Sequence, residues 1–272
     1  MKSKKTFQLF NVENKNIILT GSAGILGTQY AYALSEQGAN LILIDIDSKK
    51  NKKLEQELRE KFHTNPTSFH ADITKSSQIK KVTKSVLQKY KKIDGLVNNA
   101  VFHPKTKAHN ISKPFTKFPK ELLEKSINVD LTGLFVMCQE IGTIMEKQKH
   151  GIIVNISSIY GIKGADQRIY GKSKLNSPPS YALTKGAIIN FSRYLAAYWY
   201  DKNIRVNTLS LGGVKVEEYM TKEFIKQYSK KTILGRMANV DEYNGPLLFL
   251  LSNASSYMTG SNLIVDGGWS AW

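Results

Sequence analysis

The 272-residue sequence predicts an α/β fold: a doubly wound parallel sheet of about seven strands with helices on both faces. Three observations predict it. Short runs rich in β-branched residues alternate with longer helical segments, which is the pattern of repeated β-α-β units. The short runs are apolar nearly throughout, as expected of parallel strands covered on both faces. A glycine-rich turn joins the first run to the first helix, where such folds bind phosphates.

Seven segments fit the strand pattern, and helical patterns fill the intervals between them. The strands are predicted at 16–21, 40–45, 67–72, 95–100, 151–157, 205–211 and 262–267. Clear helical patterns occupy 77–92 and 186–200. Because no linker interrupts the alternation, the chain 1–272 is predicted to form a single domain. The irregular segments 101–118 and 159–180 stand out, since long loops in compact domains are often functional.

The net charge of +17 raises the question of a nucleic-acid-binding surface. The positive charge comes from 34 lysines and only 5 arginines, which are spread along the whole chain. Arginine is preferred where bidentate phosphate or base contacts matter, so we predict a solvated lysine surface and no nucleic-acid partner. A positive field would still favour an anionic small molecule.

No segment predicts a membrane span, an export signal or a metal site. No apolar run approaches the roughly 18 residues that a span needs, and the basic N-terminus lacks an apolar signal core. The single cysteine, Cys138, lies in an apolar helical context and cannot form an internal disulfide. We interpret it as a packed thiol. These features predict a cytoplasmic protein with no membrane partner.

The first strand runs into the segment TGSAGILG, in which Gly21, Gly24 and Gly27 precede a helix. Glycines let the backbone approach a pyrophosphate, whose charge is met by free N–H groups at the helix N-terminus. The second strand ends in Asp45, where a carboxylate can bind ribose hydroxyls and would repel a 2′-phosphate. Together they predict a dinucleotide site that prefers NAD to NADP. Alternatively, Asp45 only caps the next helix, with the polar pair at 47–48 as competitor.

With these motifs, the chain resembles the short-chain dehydrogenase/reductase family over nearly its whole length. The resemblance rests on motifs in the family's order: TGSAGILG, HADIT, NNA, INVDLTG, NISS, RVNTLSLGG and TGSNLIVDGG. It implies a Rossmann-type fold, an NAD(P)-dependent oxidoreductase acting on CH–OH groups, and a homodimer or homotetramer. The chain departs from the family at Ile25, Val101 and Leu211, where Gly, Gly and Pro are usual.

The resemblance also implies which residues bind the dinucleotide. Asp72 stands where the family contacts the adenine ring, and Lys185 would bind the nicotinamide ribose. The implied cofactor-binding residues are Gly21, Ser22, Gly24, Ile25, Leu26, Gly27, Asp45, Asp72, Ile73, Asn99, Ala100, Lys185, Gly213 and Val214.

A tyrosine followed four residues later by a lysine occurs three times, at Tyr170, Tyr181 and Tyr198. The catalytic tyrosine of the family begins a long helix, and after Tyr170 that helix would meet two prolines at 178–179, which end helices. After Tyr181 the helical pattern is unbroken, whereas Tyr198 comes too late in it. We therefore assign Tyr181, and we interpret Ser180 as the N-cap of its helix.

The resemblance implies four catalytic residues. Tyr181 exchanges a proton with the substrate oxygen, and Lys185, one helical turn on, favours the phenolate and lowers the pKa of the tyrosine. Ser158 would hold the reacting oxygen by a hydrogen bond, with Ser157 as the competitor. Asn128 would organise a water-linked proton path, unless it is bonded locally within its helix.

The segment 159–180, called the insert below, is longer than is usual in the family. It must leave the sheet at its carboxyl edge, where ligands bind in doubly wound folds. Arg168 and Tyr170 of the insert, together with His103 of the FHPK loop, are predicted to contact a polar, anionic substrate. The insert and this loop resemble a bacterial subgroup linked to flagellin-glycan and nonulosonic-acid sugar biosynthesis.

The leading hypothesis is an NAD-dependent oxidoreductase that interconverts a hydroxyl and a ketone on a sugar or sugar phosphate. The first alternative is a 3-oxoacyl or general carbonyl reductase, against which the charged insert argues. The second alternative is a dinucleotide-sensing binding protein without catalytic activity. The complete set of proton-transfer residues argues against it, because a sensor needs no such set.

Overall fold

The chain folds around a seven-stranded parallel sheet. The computed structural model describes residues 5–102, 113–173, 175–218 and 220–272. The strands are β1 Asn16–Thr20, β2 Asn40–Asp45, β3 Thr67–His70, β4 Gly95–Asn98, β5 Gly151–Ser158, β6 Ile204–Leu211 and β7 Asn262–Val265. They lie side by side in the order β3-β2-β1-β4-β5-β6-β7, and every neighbouring pair is parallel. The predicted doubly wound sheet is confirmed, with strand ends within two residues of prediction.

Helices cover both faces of this sheet. They are α1 Ile25–Glu36, α2 Ser48–Phe62, α3 Ser76–Tyr90, α4 Lys120–Ile127, α5 Leu134–Gln148, α6 Pro179–Tyr198, α7 Lys222–Ser229 and α8 Asn244–Leu251. Successive strand residues point to opposite faces. In β1, Ile18 packs in the core beneath α3, α5 and α6, whereas Ile17 and Leu19 pack beneath α1, α2 and α8. Both faces are therefore apolar, which explains the unbroken apolar runs.

The chain winds outward from β1 to β3 on one side of the sheet and from β4 to β7 on the other. Ligands bind in doubly wound folds at the carboxyl edge, where the winding reverses. The glycine loop follows β1, Asn99 follows β4, and Ser158 ends β5. The topology therefore brings these three features to one edge of the sheet. In the described part of the chain, no helix is long and apolar enough to cross a membrane.

Helix α6 begins at Pro179, directly after Pro178. Proline is favoured in the first turn because its missing N–H has no helical partner there. Tyr170 lies earlier, in the 3-10 segment Gln167–Ser173, so Tyr181 is the tyrosine that stands in the first turn of the long helix. The prolines thus separate the two tyrosines as predicted.

Ser180 is not the N-cap of α6, which corrects the prediction. The capping position belongs to Pro178, and no side chain caps the helix there. The Ser180 hydroxyl is buried and instead forms a hydrogen bond of 3.1 Å with the hydroxyl of Ser126, on α4. Pro179 has no N–H to satisfy, and the N–H of Tyr181 donates to the carbonyl of Pro178 at 3.0 Å, so the first turn is satisfied by the backbone.

Candidate active site

Tyr181 and Lys185 lie one turn apart on α6. The Nζ of Lys185 is 5.6 Å from the centre of the Tyr181 ring. The lysine is buried, and its Nζ donates to the carbonyl of Ile156 in β5 at 3.0 Å. The hydroxyl of Ser157 donates to the Lys185 carbonyl at 2.8 Å. Strand β5 thus holds both the side chain and the backbone of the lysine.

The last residue of β5, Ser158, is hydrogen-bonded to the Tyr181 hydroxyl. Its Oγ also accepts the N–H of Tyr160 at 3.2 Å. Ser157 points to the opposite face of the strand and is occupied with the α6 backbone. The alternation of β5 therefore distinguishes the two serines: Ser158 faces the tyrosine, and Ser157 supports the helix.

Burial raises the pKa of Tyr181 above its usual value of 10.0, and Asp130 raises it further, whereas the hydrogen bond with Ser158 lowers it. Burial lowers the pKa of Lys185, and Asp130 opposes that change. The net shift for the tyrosine is therefore upward, which is opposite to the prediction. The physical reason is that desolvation disfavours the phenolate and a nearby carboxylate repels it.

The carboxylate beside this pair belongs to Asp130, which is buried in a π-helical segment, Asn128–Gly133, between α4 and α5. Its Oδ1 accepts the N–H of Phe102 at 2.6 Å, and its Oδ2 accepts the hydroxyl of Thr184 at 2.9 Å. Thr184 stands directly before Lys185 on α6. The carboxylate therefore joins the loop after β4 to the helix that carries the tyrosine.

Asn128 lies on another side of this segment than Asp130, and its part in a proton path stays a prediction. Its side chain is exposed, and it precedes Asp130 by two residues, roughly half a helical turn. Asp130 occupies the inward position instead. Sequence reasoning missed it, although one acidic residue within the apolar run VDLTGLFVMC is a signal, because a buried carboxylate needs partners.

The loop after β1 has a shape that only glycine permits at two positions. Gly21 has a φ of +64°, and a Cβ there would lie 2.7 Å from the Cα of Ala100. A Cβ on Gly27 would lie 2.1 Å from the carbonyl oxygen of Gly21. The first N–H groups of a helix lack partners within it, and here they belong to Ile25, Leu26 and Gly27. This loop, with the exposed Gly24 before the helix, fits a pyrophosphate.

Side chains of Asn99 and Ser22 shape this loop. The Nδ2 of Asn99 donates to the carbonyls of Thr20 and Gly21 at 3.1 and 3.0 Å. The hydroxyl of Ser22 is buried and donates to Oδ1 of Asn51 at 2.7 Å. Both residues lie at the predicted cofactor site, and their side chains are engaged with the protein. Their contact with the dinucleotide stays a prediction.

Asp45 ends β2 with its carboxylate against the glycine loop. Its Oδ2 accepts the N–H of Ala23 at 3.0 Å, and its Oδ1 accepts the N–H of Asp47 at 2.8 Å. The cap of α2 is Asp47, whose side chain accepts the N–H of Lys50 at 3.1 Å. Asp45 is therefore not the cap. Each carboxylate oxygen has a further lone pair for a ribose hydroxyl.

The predicted adenine-side residues follow β3 at the same edge. The Oδ1 of Asp72 accepts the N–H and the hydroxyl of Thr74 at 2.9 and 2.8 Å. Ile73 packs against Gly133, where a Cβ would lie 2.6 Å from the isoleucine side chain. The adenine side is thus in contact with the π-helical segment that carries Asp130.

The loop after β6 joins the cofactor side to the substrate side. The N–H of Gly213 donates to the hydroxyl of Tyr228, on α7, at 2.6 Å. Val214 forms an isolated parallel bridge with Ala238. The predicted cofactor residue Gly213 is therefore fixed by the helix that packs on the insert, and Val214 is fixed by the segment between α7 and α8.

The insert turns aromatic side chains toward Tyr181. The Tyr160 ring meets the Tyr181 ring edge-on with centroids 6.4 Å apart, and Trp269 lies 6.5 Å from Tyr160. Tyr170 packs on Phe224 of α7 at 5.0 Å and interacts electrostatically with Tyr181. Within the described residues, the buried hydroxyl of Tyr160 has no hydrogen-bond partner.

The charged side chains of the insert pair with one another. Arg168 donates to both carboxylate oxygens of Asp166 at 2.8 and 2.9 Å, and its side chain is 85% exposed. Lys231 adds an ion pair with Asp166 at 2.9 Å. Arg168 is therefore an exposed residue with a local partner, and its contact with the substrate stays a prediction. His103 lies outside the described residues.

Comparison with known proteins adds to this geometry. A family model described as enoyl-(acyl carrier protein) reductase matches residues 21–270. The chain is 31% identical to the post-translational flagellin modification protein A of Campylobacter coli, over 95% of this chain and 99% of the relative. It is 32% identical to an NAD-dependent glycerol dehydrogenase of Listeria innocua, over 96% and 95%. It is 31% identical to a 3-oxoacyl-(acyl-carrier-protein) reductase of Chlamydia trachomatis, over 94% and 97%.

Solved structures share the fold over the full chain. A short-chain dehydrogenase from Leptospira borgpetersenii with bound NAD+ is 32% identical, with a TM-score of 0.81 over 99% of this chain and 97% of that one. A gluconate 5-dehydrogenase from Burkholderia cenocepacia, in complex with NADP and tartrate, is 27% identical with a TM-score of 0.85 over 98% and 100%. The chain thus belongs to the short-chain dehydrogenase/reductase family and is an NAD(P)-dependent oxidoreductase acting on CH–OH groups.

Proposed function

We propose that this chain is an NAD-dependent dehydrogenase that interconverts a hydroxyl and a ketone on a sugar or sugar-phosphate-like substrate. The observation that carries the proposal is the meeting of Tyr181, Lys185 and Ser158 at the sheet edge that also holds the glycine loop. This arrangement supports proton transfer beside a bound dinucleotide, which hydride chemistry requires.

The roles follow from the contacts. Tyr181 passes a proton between its phenol and the substrate oxygen, and Ser158 donates a hydrogen bond to that oxygen. Lys185, held by Ile156, supplies the positive charge that stabilises the phenolate. The chemistry that a nicotinamide supplies when bound is hydride transfer at the substrate carbon. Tyr160 covers one side of the tyrosine ring and limits the access of water.

The preference for NAD rests on Asp45. Its carboxylate lies against the glycine loop, where it accepts the N–H of Ala23 and would repel the 2′-phosphate of NADP. Similar proteins are found with either cofactor: the Leptospira dehydrogenase has bound NAD+, and the Burkholderia enzyme has bound NADP. The argument for NAD is therefore the Asp45 carboxylate, because sequence similarity to known proteins does not distinguish the two cofactors.

A hydroxyl-bearing substrate is supported by the buried hydroxyl of Tyr160, which lacks a partner among the described residues and lies beside Tyr181. A buried polar group of this kind is stabilised when a ligand provides the missing hydrogen bond. Similarity to the flagellin modification protein and to the glycerol dehydrogenase points in the same direction. We therefore place the reaction in the synthesis of bacterial surface glycans, such as those of flagellin.

A second candidate, a 3-oxoacyl reductase, is favoured by one specific observation. The ion pair of Arg168 with Asp166 satisfies the guanidinium at the surface, and aromatic side chains of the insert face Tyr181. The insert is therefore less polar toward the site than its sequence suggests, which weakens the argument against an acyl substrate. The similarity to the chlamydial reductase agrees with this candidate.

The deciding experiment is an initial-rate screen that follows NADH and NADPH absorbance. The substrates are polyols, aldoses and sugar phosphates in the oxidative direction, and 3-oxoacyl thioesters in the reductive direction. Turnover of a sugar or polyol with NAD, lost in Tyr181→Phe, is the expected result. Turnover of thioesters alone would establish the second candidate. Dinucleotide binding without turnover of any class would favour a sensor instead.

We also propose a homo-oligomer. Helices α5 and α6 expose a row of aromatic side chains: Tyr194 and Tyr198 are 60% and 58% exposed and stack at 6.1 Å, with Phe135 47% exposed beside Phe191. Exposed apolar rows of this kind mark interaction surfaces. Light scattering should give a dimer or tetramer, and Tyr194→Glu should shift it toward monomer. A monomeric wild type would remove the proposal.

A further inference from the structure

The π-helical segment Asn128–Gly133 brings a carboxylate to the Tyr181–Lys185 pair. Such turns are rare and occur frequently at functional sites. Here Asp130 lies buried in the middle of the turn. Gly133, at its end, packs closely under Ile73. The segment is thus held between the cofactor edge and α6, so its inward side chain has a defined position.

Both oxygens of Asp130 accept hydrogen bonds, which is how an ionised carboxylate is used. One donor is the backbone N–H of Phe102, at 2.6 Å, and the other is the Thr184 hydroxyl, at 2.9 Å. The pair of donors comes from two different elements, the loop after β4 and helix α6. Burial raises the pKa of the Asp130 carboxyl above its usual value, whereas Lys185 and the two donors oppose this, because they stabilise the ionised form in the buried site.

We propose that Asp130 is a positioning residue whose negative charge keeps the Lys185 ammonium protonated in its buried place and sets the pH range in which Tyr181 exchanges its proton. The inference rests on the proposed function, because it assigns a role within the same proton-transfer site. It concerns the charge of Asp130 and not only its hydrogen bonds.

The negative charge of Asp130 changes the pKa values of Lys185 and Tyr181 in the same direction. Burial lowers the pKa of Lys185, and the Asp130 carboxylate opposes this. The same carboxylate raises the pKa of Tyr181. Removing one negative charge must therefore lower both values. In alcohol oxidation, activity rises as Tyr181 loses its proton and falls as Lys185 loses its own, so both limbs of the pH profile move to lower pH.

Other titratable groups near the pair are neutral at physiological pH. Those coupled to Tyr181 come from the insert, from α7 and from the start of α8, and their pKa values are all raised by burial; they are Tyr160, Tyr170, Tyr228 and Tyr243. Cys138 on α5 has a pKa raised to about 12. Among the described residues, Asp130 is therefore the charge that raises the pKa of Tyr181, whereas Asp166 and Asp266 act on the neighbouring Tyr160 and Tyr228.

Asparagine at position 130 separates charge from hydrogen bonding. Its carbonyl oxygen can accept the N–H of Phe102, and its amide can donate to Thr184. The Thr184 hydroxyl can then donate to the Tyr181 carbonyl, which lies 3.4 Å away. Asp130→Asn thus preserves the shape and the contacts and removes only the charge. Glu124→Gln, which removes an exposed carboxylate on α4, is the matched control.

The kinetic experiment compares pH profiles of kcat and kcat/KM for wild type, Asp130→Asn and Glu124→Gln, with the best substrate of the screen. Both limbs for Asp130→Asn should move to lower pH by about one unit, a typical size for loss of a nearby charge. The control should keep the wild-type profile. A lower plateau with unmoved limbs would overturn the proposal and leave Asp130 a structural residue. His103 follows Phe102 in the sequence and is itself titratable. The same comparison is therefore repeated in a His103→Gln background, which lacks that imidazole.

A second measurement needs no substrate. The titration of Tyr181 is obtained as the difference in tyrosinate absorbance between each protein and the same protein with Tyr181→Phe. The midpoint should be lower in Asp130→Asn than in wild type. An equal midpoint in a folded variant, checked by thermal unfolding, would overturn the inference. If this shift is found and no substrate turns over, the proposed function fails while the role of Asp130 stands.

Discussion

The cofactor edge and the substrate edge of this molecule are built in different ways. The cofactor edge, around the loop from Gly21 to Gly27, is a backbone structure whose shape excludes side chains, and it is local in the sequence. The substrate edge joins the insert, α7 and the π-helical segment, which are distant in sequence and meet through side chains. The first is therefore readable from a motif, whereas the second depends on which side chain finds which partner.

The largest expected effect tests the centre that both edges share. Tyr181→Phe should lower kcat by about 10²–10⁴, the range for a positioned acid or base, because the phenol is the group that passes the proton. Dinucleotide affinity, measured by fluorescence titration, should be unchanged. Tyr170→Phe is the control from the insert, and its kcat should stay much closer to wild type. The reverse outcome, an inactive Tyr170→Phe variant and an active Tyr181→Phe variant, would contradict the assignment of Tyr181 as the catalytic tyrosine.

A methyl group at the cofactor edge should have the next largest effect. In Gly27→Ala the new Cβ would meet the Gly21 carbonyl oxygen at 2.1 Å, so the loop must move. We expect dinucleotide affinity to fall by about tenfold or more, and stability to fall by about 1–3 kcal/mol. Gly164→Ala, on the insert, has open space around the added methyl and serves as control. Normal affinity in Gly27→Ala would show that the loop is not tightly packed in solution.

The cofactor preference should change with one carboxylate. Asp45→Ser removes the charge that would face a 2′-phosphate, so the NAD-to-NADP affinity ratio should fall by about tenfold, or about 1.4 kcal/mol. Titrations of both cofactors measure the ratio. Asp47→Ser changes the cap of α2 and should leave the ratio alone, since serine also caps. A wild type that binds NADP as tightly as NAD would contradict the role given to Asp45.

The smallest effect is expected on the exposed side of the insert. Arg168→Ala breaks an ion pair whose arginine is exposed to solvent, and exposed ion pairs contribute little. We expect KM for the substrate to change by less than about threefold at unchanged cofactor affinity. A rise of tenfold or more would return Arg168 to the substrate site and make the two edges more alike than the structure indicates.

The fold could be predicted from the sequence because each strand has a local apolar pattern. The apolar runs that became β1 and β5 are buried on both faces, so no other element suits them. The choice of Tyr181 was equally local, since two prolines separate it from Tyr170. The position of Asp45 beside the glycine loop could likewise be predicted, because it ends the second strand.

The remaining assignments depended on tertiary partners. Asn128 and Asp130 are both polar residues in one helical stretch, and only the π-helical turn decides which one faces α6. Arg168 has a guanidinium suited to an anionic substrate, but Asp166 two residues earlier satisfies it first. Propensity carries no information about such competition between partners, although the acidic residue in the apolar run was a signal for Asp130.

Because Cys138 is buried, its chemical labelling can report the opening of the protein core. The thiol is enclosed by the core of α5, accepts a hydrogen bond from Asn98 at 3.3 Å, and has a pKa raised to about 12. Thiolate is the species that alkylating reagents consume, and it is scarce until the core opens. Because Cys138 is the sole cysteine of the chain, the rate of its labelling follows the opening of that core directly. Ligand binding at either edge can therefore be detected as slower labelling, with no assay of turnover and no added tag.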